Sequence, residues 1–162
     1  MLDRVTQTLD REFFEYLLDL EVRKAVRYLY FFSLLIIQPD QMKKEEEPFP
    51  FSDDSLLKTF ANLIRDEIRG TDIIGRIANN KFFLILHHAD YQSTCQIGNR
   101  IKDRIQDYTF IVKVMERKQT ISIGGASFPT HSNDIESLIS KAEEMLEKAR
   151  AEGGNLICLP QE

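Results

Sequence analysis

The feature that most constrains this fold is an alternation between long amphipathic segments and short apolar runs. Four segments are long enough for helices and repeat apolar residues every three or four positions; they cover residues 11–29, 54–69, 90–106 and 134–150. Six runs of strand length lie between or after them, at residues 32–37, 72–78, 81–86, 110–115, 120–127 and 156–159. The predicted order of elements is therefore α-β-α-β-β-α-β-β-α-β.

This order predicts an α+β domain with one mixed sheet. A βαβ unit runs directly into a hairpin, which is not the pattern of a doubly wound parallel sheet. Asn79-Asn80 separates the two hairpin strands, and because asparagine tolerates positive φ the pair predicts a tight turn. The inner β-α-β-β-α-β order is that of the ferredoxin-like fold, so we expect a central mixed sheet flanked by helices.

The length and charge of the chain narrow the function classes. Its 162 residues suit a single domain, which we expect to span residues 1–162. A net charge of -5 does not favour broad nucleic-acid binding, and no apolar run reaches the ~18 residues of a membrane span. No signal-peptide pattern is visible, so a cytoplasmic protein is expected. Cys95 and Cys158 lie far apart without metal or redox spacing, which predicts buried free thiols.

Short motifs follow one another along the whole chain. They are Asp3-Arg4-Val5-Thr6, Asp10-Arg11-Glu12-Phe13-Phe14, Gln38-Pro39-Asp40-Gln41-Met42-Lys43, Arg69-Gly70-Thr71-Asp72, Ala78-Asn79-Asn80-Lys81-Phe82, Ser122-Ile123-Gly124 and Gly153-Gly154-Asn155. In this order and spacing the sequence resembles the GGDEF family of diguanylate cyclase domains from residue 3 to residue 157, with one residue fewer in the loop before Asp54. The resemblance implies the nucleotide-cyclase palm form of the ferredoxin-like fold.

The resemblance also implies a chemistry that this chain is expected to lack. Members of the family join two GTP molecules into cyclic di-GMP, using divalent cations held by carboxylates. The two carboxylate positions are Gln38 and Asn80 here, and Lys81 stands where the family has a second acid. A neutral amide is a poor ligand for such a cation, so we expect no cyclase activity, no catalytic residues and no bound metal or cofactor. His87 and His88 are adjacent and point to opposite faces of a strand, which does not favour a shared metal.

Only part of the nucleotide pocket matches the family. Glu46 stands in place of the guanine-reading asparagine, Gly154 replaces the triphosphate-binding arginine, and Ala78 replaces the first signature glycine. The resemblance therefore predicts a vestigial nucleotide pocket made of Lys43, Asp54, Asn79, Asn80 and Arg150.

A second family site, the inhibitory site that binds the product, matches better. Its R-x-x-D motif is Arg69 and Asp72, with the aspartate six residues before the signature, and its further arginine is Arg100. Arginine can bind O6 and N7 of guanine together and pairs with phosphates, while a carboxylate accepts from the N1 and N2 groups of guanine. R-x-x-D also occurs at residues 100–103 and 104–107, so the register to the hairpin carries the prediction.

Three functions remain open at this point. The favoured hypothesis is a receptor that binds cyclic di-GMP as a stacked dimer through Arg69, Asp72 and Arg100 and alters association with an unknown partner protein, with a ligand-bridged homodimer as a further possibility. The alternatives are a regulatory GTP-binding module that uses the vestigial pocket and a protein-interaction domain without a ligand.

Overall fold

The structure, a computed structural model, describes residues 1–41 and 47–161. Four helices are present: α1 Arg11–Tyr28, α2 Asp54–Arg65, α3 Tyr91–Asp107 and α4 Ile135–Ala151. The strands are β1 Phe32–Pro39, β2 Ile73–Ala78, β3 Lys81–His87, β4 Phe110–Val112, β5 Met115–Arg117, β6 Ile121–Phe128 and β7 Leu156–Cys158. No helix in the described ranges has both the length and the apolar character that a membrane crossing requires.

Five strands form the central sheet in the order β2-β3-β1-β6-β7. All neighbouring pairs are antiparallel except β6 and β7, which run parallel and make the sheet mixed. Without β7, the spatial order is that of a ferredoxin-like sheet built from a β-α-β-β-α-β unit. The predicted α+β class and the central mixed sheet with four helices are thus confirmed.

Strand β1 lies in the middle of the sheet and is buried on both faces. Leu35 and Ile37 pack on one side with residues of α2 and α3, whereas Leu34 and Ile36 pack on the other with residues of α1 and α4. Successive side chains of a strand point to opposite faces, so a continuous apolar run fills both layers. The two helix pairs therefore cover opposite faces of one sheet.

Each helix begins at an aspartate that caps its first turn. Asp10, Asp53, Asp90 and Asp134 are the N-cap residues, and the carboxylate of each accepts a hydrogen bond from a backbone N–H of the first turn. The second helix is shorter than predicted, since it ends at Arg65 rather than at residue 69. Arg69 consequently lies in the connection between α2 and β2.

The run at residues 110–115 is not the single strand that the sequence predicted. It forms most of a separate hairpin, in which β4 pairs with β5 around a turn at Lys113 and Val114. Both turn residues have positive φ, 52° and 60°, which is the geometry of a tight two-residue hairpin. Neither residue type signals such a turn, and the side chain of Val114 is 95% exposed.

Two further local predictions need correction. Asn79-Asn80 does form the two-residue turn between β2 and β3, but neither asparagine has the positive φ expected for it. Instead, the register between β2 and β3 shifts at a β-bulge between Arg76 and Ala78. Cys95 and Cys158 are not joined in a disulfide, yet both are only partly buried rather than buried as expected.

Candidate functional site

Four of the predicted site residues lie at opposite ends of the β2–β3 hairpin. Arg69 and Asp72 precede β2, next to the end of β3, whereas Asn79 and Asn80 form the turn at the other end. With six residues in β2, the two ends are separated by about 20 Å at the usual rise of ~3.3 Å per residue. We call them the open end and the turn end of the hairpin.

At the open end, Arg69 and Asp72 form a two-pronged ion pair. Arg69 Nε lies 3.1 Å from one carboxylate oxygen of Asp72, and Arg69 Nη2 lies 3.2 Å from the other. The backbone N–H of Arg69 also donates to this carboxylate, at 2.9 Å. The Arg69 side chain is 47% exposed, while that of Asp72 has no exposed surface. The motif thus presents a half-exposed guanidinium held by a buried carboxylate.

The last residue of β3 completes this arrangement through its backbone. The N–H of His87 donates to Asp72 at 3.1 Å, and the carbonyl oxygen of His87 accepts a hydrogen bond from Arg69 Nη2. The carboxylate of Asp72 therefore accepts from the main chain and the guanidinium of Arg69 and from the main chain of His87. In this conformation it is unavailable to a ligand, and its visible action is to orient Arg69.

Arginines of α3 reach the same connection. Arg100 Nη2 donates to the carbonyl oxygen of Glu67 at 2.9 Å, and its Nε lies 3.9 Å from the Glu67 carboxylate. Arg104 pairs with Asp66 at 2.9 Å. Arg100 is thus anchored two residues before Arg69, with 54% of its side chain exposed. The structure brings both predicted arginines of the R-x-x-D site to one connection.

At the turn end, the two positions expected to carry metal carboxylates are both amides. Gln38 is only 7% exposed, and its Oε1 has no hydrogen-bond partner among the described residues. Asn80 lies in the exposed hairpin turn. An uncharged oxygen supplies far less attraction for a hard divalent cation than a carboxylate does.

Lys81, the residue after the turn, is paired within the protein. Its Nζ lies 3.1 Å from a carboxylate oxygen of Glu143 on α4, and the two side chains are 26% and 35% exposed. Sequence reasoning recognised the cation at this position but not its partner. The Glu143 partner lies 62 residues away, and its position could be found only once α4 was placed against the hairpin.

A partly buried cluster around Asp40 was missed by the sequence analysis. The Asp40 carboxylate accepts hydrogen bonds from Thr120 Oγ1 at 2.6 Å, Ser122 Oγ at 2.5 Å and the backbone N–H of Asn155 at 2.8 Å. A Cβ atom built on Gly154 would lie 2.7 Å from the carboxylate carbon of Asp40, and Gly154 has a φ of 76°. Both facts favour glycine at the position where the resemblance implies a triphosphate-binding arginine.

Two further residues of the predicted pocket that the structure describes, Asp54 and Arg150, lie on different helices. Asp54 begins α2 beside an open groove of about 750 Å³ lined by Arg4, Val5, Ser55 and Lys58. Arg150, in the last turn of α4, pairs with Glu147 at 2.9 Å. Lys43, like Glu46, lies outside the described residues.

Arg76 supports the turn end rather than the open end. Its Nη1 lies 3.4 Å from Asp3, and its Nη2 donates to the carbonyl oxygen of Asn79 at 3.2 Å. Asp3 also accepts from the N–H and the hydroxyl of Thr6. Burial by itself raises the pKa of the Asp3 carboxyl, but the hydrogen bonds from Thr6 and the charge of Arg76 outweigh it, so the pKa of Asp3 is lowered.

Comparison with known sequences identifies relatives along almost the whole chain. The profile of the family described as "Diguanylate cyclase, GGDEF domain" matches residues 1–156. Diguanylate cyclase DosC of Escherichia coli strain K12 is 28% identical over 158 residues, which are 96% of this chain and 34% of DosC. The chain spans about a third of the length of the curated relatives it matches.

Solved structures share the fold. The GGDEF domain of YfiN from Pseudomonas aeruginosa has a TM-score of 0.86 at 21% identity, over 97% of this chain and 99% of that one. The GGDEF domain of DgcB from Caulobacter crescentus, solved in complex with cyclic di-GMP, has a TM-score of 0.83 at 17% identity, over 99% of this chain and 93% of that one. At these identities the likeness concerns the fold of the domain.

Proposed function

Since this chain belongs to the GGDEF domain family, we propose that it is a catalytically inactive member that binds cyclic di-GMP at the open end of the hairpin. In this proposal, Arg69, Asp72 and Arg100 form the ligand site, and the bound ligand alters association with a partner protein. The observation that carries the proposal is the half-exposed guanidinium of Arg69, which a fully buried carboxylate holds in place.

The geometry of Arg69 suits an anionic purine ligand. Its two-pronged contact with Asp72 restricts the side chain before any ligand arrives, which lowers the entropy lost on binding. The exposed part of the guanidinium can then donate to O6 and N7 of guanine or to a phosphate oxygen. Asp72 contributes by holding Arg69, and it would pair with guanine itself only if the ion pair opened.

Arg100 supplies the second cation of the proposed site. It is anchored to Glu67 mainly through a backbone carbonyl, and half of its side chain is exposed. A dinucleotide with two phosphates can replace this weak, exposed contact by a charge-assisted one. Arg69 and Arg100, which meet at one connection, also suit a stacked ligand dimer, which could bridge two copies of the chain.

The proposed loss of cyclase activity rests on the turn end. Gln38 and Asn80 provide no negative charge for a metal, and Lys81 places a cation there that is already paired with Glu143. Removing one major electrostatic stabiliser of a transition state typically lowers the rate by ~100-fold to 1,000-fold. Purified protein incubated with GTP and Mg²⁺ or Mn²⁺ should therefore form no detectable cyclic di-GMP, and product formation would refute this part of the proposal.

Titration calorimetry with cyclic di-GMP and with GTP tests the binding part. Wild type should bind cyclic di-GMP, and Arg69→Ala should weaken binding by about 100-fold or more, because it removes both the donors and the charge. Arg104→Ala is the matched control, since Arg104 contacts the same connection through Asp66 and should change affinity by less than about threefold. Equal binding by Arg69→Ala would place the ligand elsewhere.

The same titration separates the alternatives. Binding of GTP but not of cyclic di-GMP would favour a regulatory GTP module that uses the groove beside Asp54. Binding of neither nucleotide would leave a protein-interaction domain.

A further inference from the structure

We infer that Glu21 and His87 are positioning residues of the Arg69–Asp72 site, through which helix α1 controls the orientation of the guanidinium. The inference concerns the ligand-free geometry and, for its effect on affinity, rests on the proposed function. Neither residue belongs to a motif that the sequence analysis identified as a binding site.

His87 joins the two faces of the sheet. Alternation along β3 places Phe83 and Ile85 on the side of α1 and α4, and His87 follows them at the same period of two. Its ring accordingly reaches α1, where Nδ1 lies 3.0 Å from a carboxylate oxygen of Glu21. Its backbone N–H and carbonyl group meanwhile contact Asp72 and Arg69 at the strand end. One residue thus connects α1 to both members of the ion pair.

Glu21 is an unusual residue for the middle of a surface helix, because it is only 3% exposed. A buried carboxylate requires hydrogen-bond donors, since leaving it unpaired is strongly unfavourable. The hydroxyl of Tyr30 donates to the same Glu21 oxygen at 2.5 Å. Burial and the neighbouring Glu21 carboxylate raise the pKa of Tyr30 far above its usual value, so the phenol keeps its proton. The requirement for donors fixes the ring of His87 against α1.

A continuous chain of contacts results. It runs from Glu21 to the His87 ring, then from the His87 backbone to Asp72 and Arg69. A displacement of α1, or loss of the Glu21 carboxylate, releases the His87 ring and lets the end of β3 move. The carboxylate of Asp72 would then lose the His87 N–H, and Arg69 would lose the His87 carbonyl. The expected consequence is a guanidinium that samples more orientations and binds an anion less tightly.

Amide hydrogen exchange of the ligand-free protein, resolved by NMR, tests the positioning directly. The amides of Arg69 and His87 both donate to Asp72, so Glu21→Ala should speed their exchange by about tenfold or more. The amide of Leu35 in the central strand reports global opening. A selective increase at Arg69 and His87 supports the inference, whereas an equal increase at Leu35 indicates general destabilisation and overturns it.

Affinity measurements add matched variants. His87→Ala keeps the backbone contacts but removes the link to Glu21, and should weaken cyclic di-GMP binding by about three- to tenfold. His87→Asn places an amide nitrogen near the position of Nδ1 and should restore most of the affinity. His88→Asn is the control, because His88 is the adjacent histidine and has a φ of 52° that asparagine tolerates. It should leave affinity within about twofold of wild type.

The outcomes separate this inference from the proposed function. If Arg69→Ala abolishes binding while Glu21→Ala and His87→Ala bind like wild type with unchanged amide exchange, the positioning role is refuted and the receptor remains. If wild type binds no cyclic di-GMP but Glu21→Ala still frees the amides of Arg69 and His87, the receptor is refuted and the positioning role is supported. Tyr30→Phe, a milder change that removes one donor to Glu21, should shift the same two amides in the same direction.

Discussion

The two ends of the β2–β3 hairpin differ in how their charged side chains are exposed and paired. At the open end, the carboxylate of Asp72 is buried and the guanidinium of Arg69 remains half exposed. At the turn end, Lys81 is paired with Glu143, and the buried Gln38 is neutral. One end therefore exposes part of a guanidinium, and at the other end the ammonium group of Lys81 is paired within the protein.

The difference explains why we assign binding and catalysis separately. An anion needs donors that are oriented before it arrives, and the open end provides them through Asp72 and the backbone of His87. A divalent cation needs anionic oxygens that face a common point. Among the described residues, no group of three histidine, cysteine or acidic side chains is arranged to hold a metal ion. Four predictions test this contrast, in order of decreasing effect.

The largest effect is expected from Asp72→Ala. This change leaves the partly buried N–H of His87 without its acceptor and frees Arg69, so it should lower the free energy of unfolding by about 2–3 kcal/mol. Urea denaturation measures the loss. The control is Asp66→Ala in the same connection, whose side chain is 54% exposed and should contribute less than about 0.5 kcal/mol. Equal losses would mean that Asp72 does not hold the open end together.

A pair of glycine substitutions compares the backbone of the two regions. Gly154→Ala should lower the free energy of unfolding by about 1–2 kcal/mol, because Gly154 has a φ of 76° and its added Cβ would press on Asp40. Gly70→Ala, between Arg69 and Asp72, meets open space and should change stability by less than about 0.5 kcal/mol. Thermal unfolding in parallel distinguishes them, and a neutral Gly154→Ala would show that Asp40 can move aside.

Lys81→Glu tests whether a carboxylate at position 81 creates a binding site for a metal ion at the turn end. The substitution puts a second carboxylate beside Glu143, and the loss of the ion pair plus repulsion should lower stability by about 1 kcal/mol. Millimolar Mn²⁺ should then raise the melting temperature of this variant but not of wild type. Glu143→Gln, which removes the pair without adding an acid, should show no response to Mn²⁺. A response in wild type would contradict the assignment of Lys81 as an internal cation.

Apart from the β4–β5 hairpin, the sequence predicted the order of the helices and strands. It could do so because the periodicity of apolar residues is visible within each segment by itself. It also predicted that Arg69 and Asp72 belong to one site, since residues three positions apart cannot lie far from each other. The β4–β5 hairpin was mistaken for one strand because Lys113 and Val114 adopt positive φ without any glycine or asparagine to indicate it.

The contacts that define the open end could not be predicted for a different reason. His87 is 15 residues from Asp72 and 66 positions from Glu21 along the chain, and it meets Asp72 through its backbone. A hydrogen bond that the backbone donates does not depend on the residue type, so the sequence does not reveal it. Glu21 likewise reads as an ordinary polar position of an amphipathic helix, although it is buried. Such contacts depend on how the strands and α1 pack against one another. The residue pattern of a single segment does not predict this packing.

The smallest effect concerns Asp3, which supports the turn end through Arg76. Because the pKa of Asp3 is lowered in the folded protein, its contribution to stability is present above the unfolded pKa of about 4 and is lost as the pH falls through the folded value. Asp3→Asn should therefore be less stable than wild type by up to about 1 kcal/mol at neutral pH. The difference should shrink as the pH falls below about 4. Urea denaturation at several pH values measures it, and a difference that stays constant into acid would mean that Asp3 supports the turn end through shape rather than charge.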